Sequence, residues 1–202
     1  KSKHHNDDDD DDEKPPSMEI IHELDVEDKL SEAIYRFNVD PKSGILQLCQ
    51  FYKVPNSPEA IAHILHTTEG LISEKIGEYI SDEKSEPILC AYFQELDLQM
   101  PFIQAIRKSI SCSFKLPGEA EQIDRIVHGF AKVYYQMNPN VFKNCDVAYI
   151  LAFALILLNS DQHNPNMTRK MTSRDFIENV RGALKQDDIS DSKLVSMYED
   201  IK

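Results

Sequence analysis

The stretch VAYILAFALILL, Val147 to Leu158, is apolar around its whole circumference when wound as a helix. Such a segment has no face to give to water. The rest of the chain must supply either a complete jacket for it or a bed that leaves one apolar strip open. Read on its own, the run predicts the jacket: a helix enclosed by the core. At 12 residues the run is too short to cross a bilayer as a helix, which takes about 20.

The jacket is itself predicted to be helical. From Met18 onward the apolar residues recur with helical spacing, with Ile20, Ile21, Leu24, Leu30, Ala33, Ile34 and Phe37 on one broad face. This first helix, or helix pair, ends before Pro41. A short helix follows over Ile45 to Phe51. SPEAIAHIL then opens another, with Ser57 as N-cap and Pro58 at the first helical position. Leu71 to Ile80, Glu86 to Leu96 and Met100 to Cys112 read as further short amphipathic segments. Ile123, Ile126, Val127, Phe130, Ala131 and Tyr134 mark a long helix ending before Asn138. TSRD, Thr172 to Asp175, is a capping signal for a helix through about Leu184, and a last helix covers Lys193 to Ile201. Nothing alternates with period two for long enough to make a sheet. Six glycines and no tryptophan in 202 residues, 41% of them hydrophobic, suit the same conclusion. The expectation is an all-α domain of nine or ten short helices over residues 18–202, stacked with a solenoid flavour but without a fixed repeat.

Charge narrows the partners. The net charge is −13, and the six aspartates of Asp7 to Asp12 leave −7 on the remainder. A surface built to neutralise phosphates is therefore not expected, which removes nucleic acid and any overall attraction to anionic lipid. Local basic patches around Lys108, Lys115 or Arg169 and Lys170 remain compatible with this balance. Residues 1–17, with a like-charge block and paired prolines, read as a disordered acidic linker. Cys49, Cys90, Cys112 and Cys145 match no zinc spacing and read as buried thiols of a reducing compartment. No charged-then-apolar leader opens the sequence, so the chain reads as cytosolic. His4 and His5 beside the aspartates read as part of a solvated tail. His63 and His66, three apart, have no carboxylate or cysteine at a matching spacing and read as helix-surface residues rather than metal ligands.

Two stretches ask for more than a fold. After the apolar run, Asn159 to Pro165 holds seven polar or proline residues, more side-chain hydrogen-bonding capacity than a helix end needs. These side chains can bond their own backbone as a polar turn, or form the hydrogen-bonding lip of an apolar groove. Earlier, SFKLPGEAEQIDR presents Glu119 on a tight Pro117-Gly118 turn between two apolar helical segments. A carboxylate in the first turn of a helix is stabilised by the macrodipole by about 0.3–1 kcal/mol, and taken alone Glu119 fits that role. The other reading is a carboxylate offered to a partner. No phosphate loop, nucleophile elbow or zinc-protease motif accompanies Glu119, Asp161 or His163, so ordinary enzyme chemistry lacks parts.

Together the two stretches resemble the Sec-seven domain, the module of guanine-nucleotide exchange factors for Arf small GTPases. FKLPGEAEQIDR is similar to the first family motif and YILAFALILLNSDQHNPN to the second. FNVDPKSGI from Phe37, IGEYI from Ile76 and DFIENVRG from Asp175 add to the likeness, which covers about Asp25 to Lys202. SDQHN at Ser160 to Asn164 and HTTEGL at His66 to Leu71 are most similar to the large Golgi factors of the Gea/GBF type. Lys115 stands where the family usually has Arg, Glu121 where Gln is common and Leu157 where Met is frequent.

The resemblance implies a right-handed superhelix of about ten helices whose groove binds the switch regions of Arf in its GDP form. It implies Glu119 as a glutamic finger, with Lys115, Leu116, Pro117, Gly118, Asp124 and Arg125 supporting its loop. Tyr149, Phe153, Ile156, Leu157 and Met171 would line the groove, and Asn159, Asp161, His163 and Asn164 its polar lip. The chain would use no cofactor of its own, since Mg²⁺ and guanine nucleotide are held by the GTPase, and it would make or break no covalent bond. Brefeldin A would bind at the same interface. For that inhibitor Asp161 and Met171 match the sensitive pattern, whereas Phe153 and Ala154 match the resistant one. The protein would be cytoplasmic, recruited peripherally to Golgi membranes and touching them only through the parent protein and Arf. A helical adaptor using the same groove without exchange activity is the alternative.

Overall fold

The computed structural model describes residues 18–111 and 113–202, and the side chains of residues 18–25 and 111 are outside the description. The acidic segment 1–17, with His4 and His5, and the thiol of Cys112 therefore lie outside the described residues. Ten α-helices and no strand are found among those described: α1 (Met18–Val39), α2 (Pro41–Tyr52), α3 (Pro58–Thr67), α4 (Ser73–Ile80), α5 (Glu86–Glu95), α6 (Phe102–Ile106), α7 (Ala120–Met137), α8 (Cys145–His163), α9 (Ser173–Arg181) and α10 (Asp191–Ile201). The all-α expectation holds.

Packing runs in a progression, α1 on α2, α2 on α3, α3 on α5, α5 on α7, α7 on α8, with α9 and α10 closing the far end against α8. An aromatic spine joins the layers. Phe93 meets Phe130 edge-on at 5.9 Å, and Phe102 contacts both Tyr134 and Phe142 at under 5 Å, in the geometry that ring quadrupoles favour. Where backbones come closest, side chains are absent. A Cβ on Gly44 would lie 2.2 Å from the backbone of Phe37, which is how α2 seats on α1.

Local signals hold at the caps. The Ser57 hydroxyl accepts from the Ala60 N–H (3.3 Å), and Thr172 and Asp175 form a reciprocal capping box. Three of the more local expectations are corrected. The Met100–Cys112 segment is a five-residue α6 followed by a π-helical turn over Arg107–Ser111. The helix expected to reach Leu184 stops at Arg181. Its guanidinium gathers the following loop, donating to the carbonyls of Leu184, Lys185 and Ile189 and to the Asp191 carboxylate. His66, read as a surface residue, is half-buried and stacked on Tyr92 with ring centroids 3.8 Å apart, while His63 turns away to Glu95.

The largest correction concerns α8. At 19 residues it is long and apolar enough, by length and composition, to cross a membrane. Here it is a core helix of a helical stack, with Val147, Ala148, Leu151, Ala152, Leu155 and Leu158 buried against α7, α9 and α10. It is not enclosed. Tyr149, Ile150, Phe153, Ala154 and Ile156 are only half-buried, and Leu157 is 53% exposed. Ten helices packed in a progression leave one side of this one uncovered, so the open-strip solution prevails.

Candidate functional site

The uncovered strip of α8 faces a groove of about 260 Å³. Tyr149, Ile150, Phe153, Ala154 and Leu157 supply its long wall, Met171 its end, and Phe176 and Asn179 of α9 the other side. Of the five groove residues expected from sequence, four are brought together here. Ile156 lies outside the lining and packs on the core. Ala154, named in the sequence only for its bearing on brefeldin A, also lines the groove, and Ile150, Phe176 and Asn179 were not anticipated. Ile150 and Ala154 follow from helical spacing, since positions 150, 154 and 157 share a face. Phe176 and Asn179 required knowing that α9 packs beside α8.

Of the polar residues that follow the groove, Asp161 and Gln162 are half-buried, while Asn159, His163 and Asn164 are exposed. An Asp161 carboxylate oxygen accepts from the Met171 N–H (2.6 Å) and from the Gln162 amide (3.3 Å). Lys170 donates to the carbonyls of Asp161 and Asn164. The Asn164 side chain accepts from the Asn166 N–H (3.0 Å), and the His163 ring meets the Asn159 carbonyl (3.0 Å). The last turn of α8 and the chain after it thus bond to each other, and Asp161 holds the Met171 backbone at the groove. Asn159 is the member whose exposed amide has no hydrogen bond within the described chain.

Tyr149 ties the groove to the neighbouring helix. Its hydroxyl donates to Asp124, which pushes the phenol up to about 12, and its ring lies 4.8 Å from that of His128. α7 and α8 run antiparallel, with Cys145 close to Lys132 and Tyr149 beside His128 and Asp124. The first turn of α7 therefore points toward the groove-lining half of α8. Arg125 faces elsewhere, its Nε donating to the Ser81 carbonyl (2.7 Å) and fixing α7 to the turn after α4.

Glu119 stands at the N-cap of α7. Its backbone carbonyl accepts from the N–H groups of Gln122 and Ile123, yet its side chain caps nothing and is exposed. The preceding residues are anchored from behind. Phe114 is buried, and the Tyr92 hydroxyl donates to the Ser113 carbonyl (3.1 Å). The Lys115 N–H reaches the Ser73 carbonyl (3.3 Å), and the Lys115 carbonyl lies where a Cβ on Gly77 would be. Between that anchor and α7 the chain has only four residues to cover. Pro117-Gly118 is accordingly a bend in an extended segment rather than the tight turn expected, and Gly118 does not take a left-handed φ.

The resulting cleft, about 450 Å³, is lined by Glu74, Glu78, Lys115, Leu116, Pro117, Gly118, Glu119 and Gln122. It holds three carboxylates. Glu74 pairs with Lys115 (2.9 Å) and Glu78 with Lys75 (2.7 Å). The hydrogen bond from Lys115 holds the Glu74 carboxyl far below the ordinary range, at about 2. Glu119 has no ion pair or side-chain hydrogen bond within the described chain.

Comparison with known proteins places the chain as a whole in a family. The chain matches the Sec7 domain family over residues 26–202. It is 40% identical over 178 residues to the ADP-ribosylation factor guanine nucleotide-exchange factor sec71 of Schizosaccharomyces pombe, covering 86% of this chain and 10% of the relative. It is 42% identical over 176 residues to brefeldin A-inhibited guanine nucleotide-exchange protein 3 of Arabidopsis thaliana, again 86% of this chain and 10% of the relative. The chain thus spans about a tenth of the length of these curated relatives. Among solved structures it resembles the Sec7p catalytic domain (TM-score 0.75, 36% identity, 85% of this chain and 93% of that one). It also resembles a Sec7 domain bound to ARF1-GDP and brefeldin A (TM-score 0.81, 29% identity, 90% and 93%). With the family match covering most of its length, the chain is a member of the Sec7 domain family.

Proposed function

We propose that this chain catalyses nucleotide exchange on an Arf-family small GTPase, binding the GDP form, promoting GDP release and allowing GTP to load. The observation that carries the reading is Glu119, the one carboxylate of its cleft without a cation, held out on a segment anchored to α4. Relatives named as Arf exchange factors and the resemblance to a Sec7 domain bound to ARF1-GDP supply the partner.

A small GTPase holds its nucleotide through a phosphate loop, a lysine and Mg²⁺. An anion inserted there attracts the lysine, repels the β-phosphate and disfavours the metal. Anchoring the segment beforehand reduces the ordering entropy lost on insertion. The groove on α8 and α9 would take apolar side chains of the GTPase, with Asn159 among the rim groups. No bond is made or broken in this scheme, and the metal and nucleotide remain the partner's. Brefeldin A would bind at the edge of the same groove. An inert adaptor would have no use for an unpaired carboxylate beside it.

The same reading places the domain in a larger factor recruited peripherally from the cytoplasm to Golgi membranes. The small share of its relatives' length that it spans supports a large parent. Within the large factors, the Gea/GBF assignment rests on SDQHN and HTTEGL, while the relatives reported above carry other names. The test is release of a fluorescent GDP from an Arf protein lacking its amphipathic N-terminal helix. The chain is expected to accelerate it at catalytic concentration, and no acceleration by folded protein would contradict the reading.

A further inference from the structure

Lys115 poses a problem for the finger. It lies four residues before Glu119 on one short segment, and both side chains line the same cleft. An ammonium on a flexible stem is free to swing to any nearby carboxylate. A Lys115–Glu119 pair would neutralise the one anion that exchange requires. In the structure Lys115 goes elsewhere, to Glu74 on α4 at 2.9 Å. Glu78, the other carboxylate of the cleft, is taken by Lys75 of its own helix.

We propose that Glu74 is a positioning residue that sequesters Lys115, keeping Glu119 unpaired and available to the GTPase. This rests on the exchange reading above and deepens it.

Two observations separate this role from simple bracing of the loop. The backbone at Lys115 is already fixed to α4 by its own hydrogen bond to Ser73 and by the contact at Gly77, neither of which involves a side-chain charge. Also, both members of the ion pair are well exposed, 67% for Lys115 and 47% for Glu74. A pair so exposed adds little to stability. Its consequence is where the charge sits. The depressed titration of Glu74, caused first by Lys115, agrees with the pair being formed across the neutral pH range.

The experiment compares GDP release from the truncated Arf by the unaltered chain, Glu119→Lys, Glu74→Gln, Lys115→Gln and the double variant Glu74→Gln/Lys115→Gln, with folding checked by circular dichroism. Glu74→Gln frees Lys115 and is expected to slow exchange roughly 2- to 5-fold, the range an exposed ion pair spans. The double variant removes the freed cation and is expected to recover most of that loss. Raising ionic strength should shrink the Glu74→Gln defect, because screening weakens the competing contact. A merely structural brace gives the opposite pattern: Lys115→Gln and the double variant are then as slow as Glu74→Gln, at any salt. That pattern, or a Glu74→Gln chain as fast as the unaltered one, overturns the proposal while leaving the exchange reading intact. An unaltered chain without activity overturns the exchange reading itself, and the role of Glu74 with it.

Discussion

A Cβ placed on Gly77 would stand 2.2 Å from the carbonyl oxygen of Lys115. That approach lets the segment carrying Glu119 lie directly on α4, and no side chain can be accommodated there without moving one of the two. Gly77→Ala is expected to displace the segment, costing about 1–3 kcal/mol of stability and lowering exchange by more than the unfolded fraction explains. Denaturant titration alongside GDP release checks it. Unchanged stability and exchange would mean that the two backbones are not in contact.

Leu157 and Leu158 are adjacent in α8, yet one is 53% exposed and the other fully buried. Leu158→Ala is expected to cost about 2–5 kcal/mol of stability, the usual cost of a core cavity. Leu157→Ala should change stability by less than about 0.5 kcal/mol and weaken the GTPase complex roughly 5- to 30-fold, as loss of an interface anchor does. Unfolding midpoints and binding by the two variants separate core from groove.

Asp161 holds the Met171 N–H at 2.6 Å and thereby the end of the groove. Asp161→Ala should expose that N–H to exchange with solvent and cost roughly 1–3 kcal/mol locally. Faster hydrogen exchange at Met171, with little change at the core of α7, is the expected result.

The Glu74 carboxyl is held at about 2, first by the hydrogen bond from Lys115. A folded-state value below the unfolded one stabilises the structure above the unfolded value of about 4.5, and that contribution is lost as pH falls toward 2. The Glu74–Lys115 pair is therefore expected to be intact throughout pH 5–8. In Lys115→Gln, the Glu74 titration observed by NMR should move upward toward the ordinary carboxylate range.

How far these features were legible in the sequence depends on their range. Ser57, Thr172 and Asp175 declared their helix starts because caps are local chemistry. The groove face of α8 was not local. A run apolar on every side does not say which side its neighbours leave bare, and that was set by where α9 and α10 pack. Glu119 was singled out by its segment, but that its neighbour Lys115 pairs with Glu74, 45 residues from Glu119 in sequence, is visible only in the fold. The inward turn of Asp161 likewise required the loop to close on Met171. The short α6 with its π-helical turn carried no sequence signal that we recognise.

The central claim is that Glu119 acts on the partner rather than within its own fold. The most direct measurement is fluorescent GDP release from the truncated Arf with the unaltered chain and with Glu119→Lys at equal concentration, together with binding to the GTPase. Because the Glu119 side chain is exposed and makes no ion pair or hydrogen bond within the described chain, the variant is expected to fold and bind while exchange falls roughly 10²- to 10⁴-fold, about 3–5 kcal/mol of lost barrier reduction. A Glu119→Lys chain that exchanges as fast as the unaltered one would contradict the account.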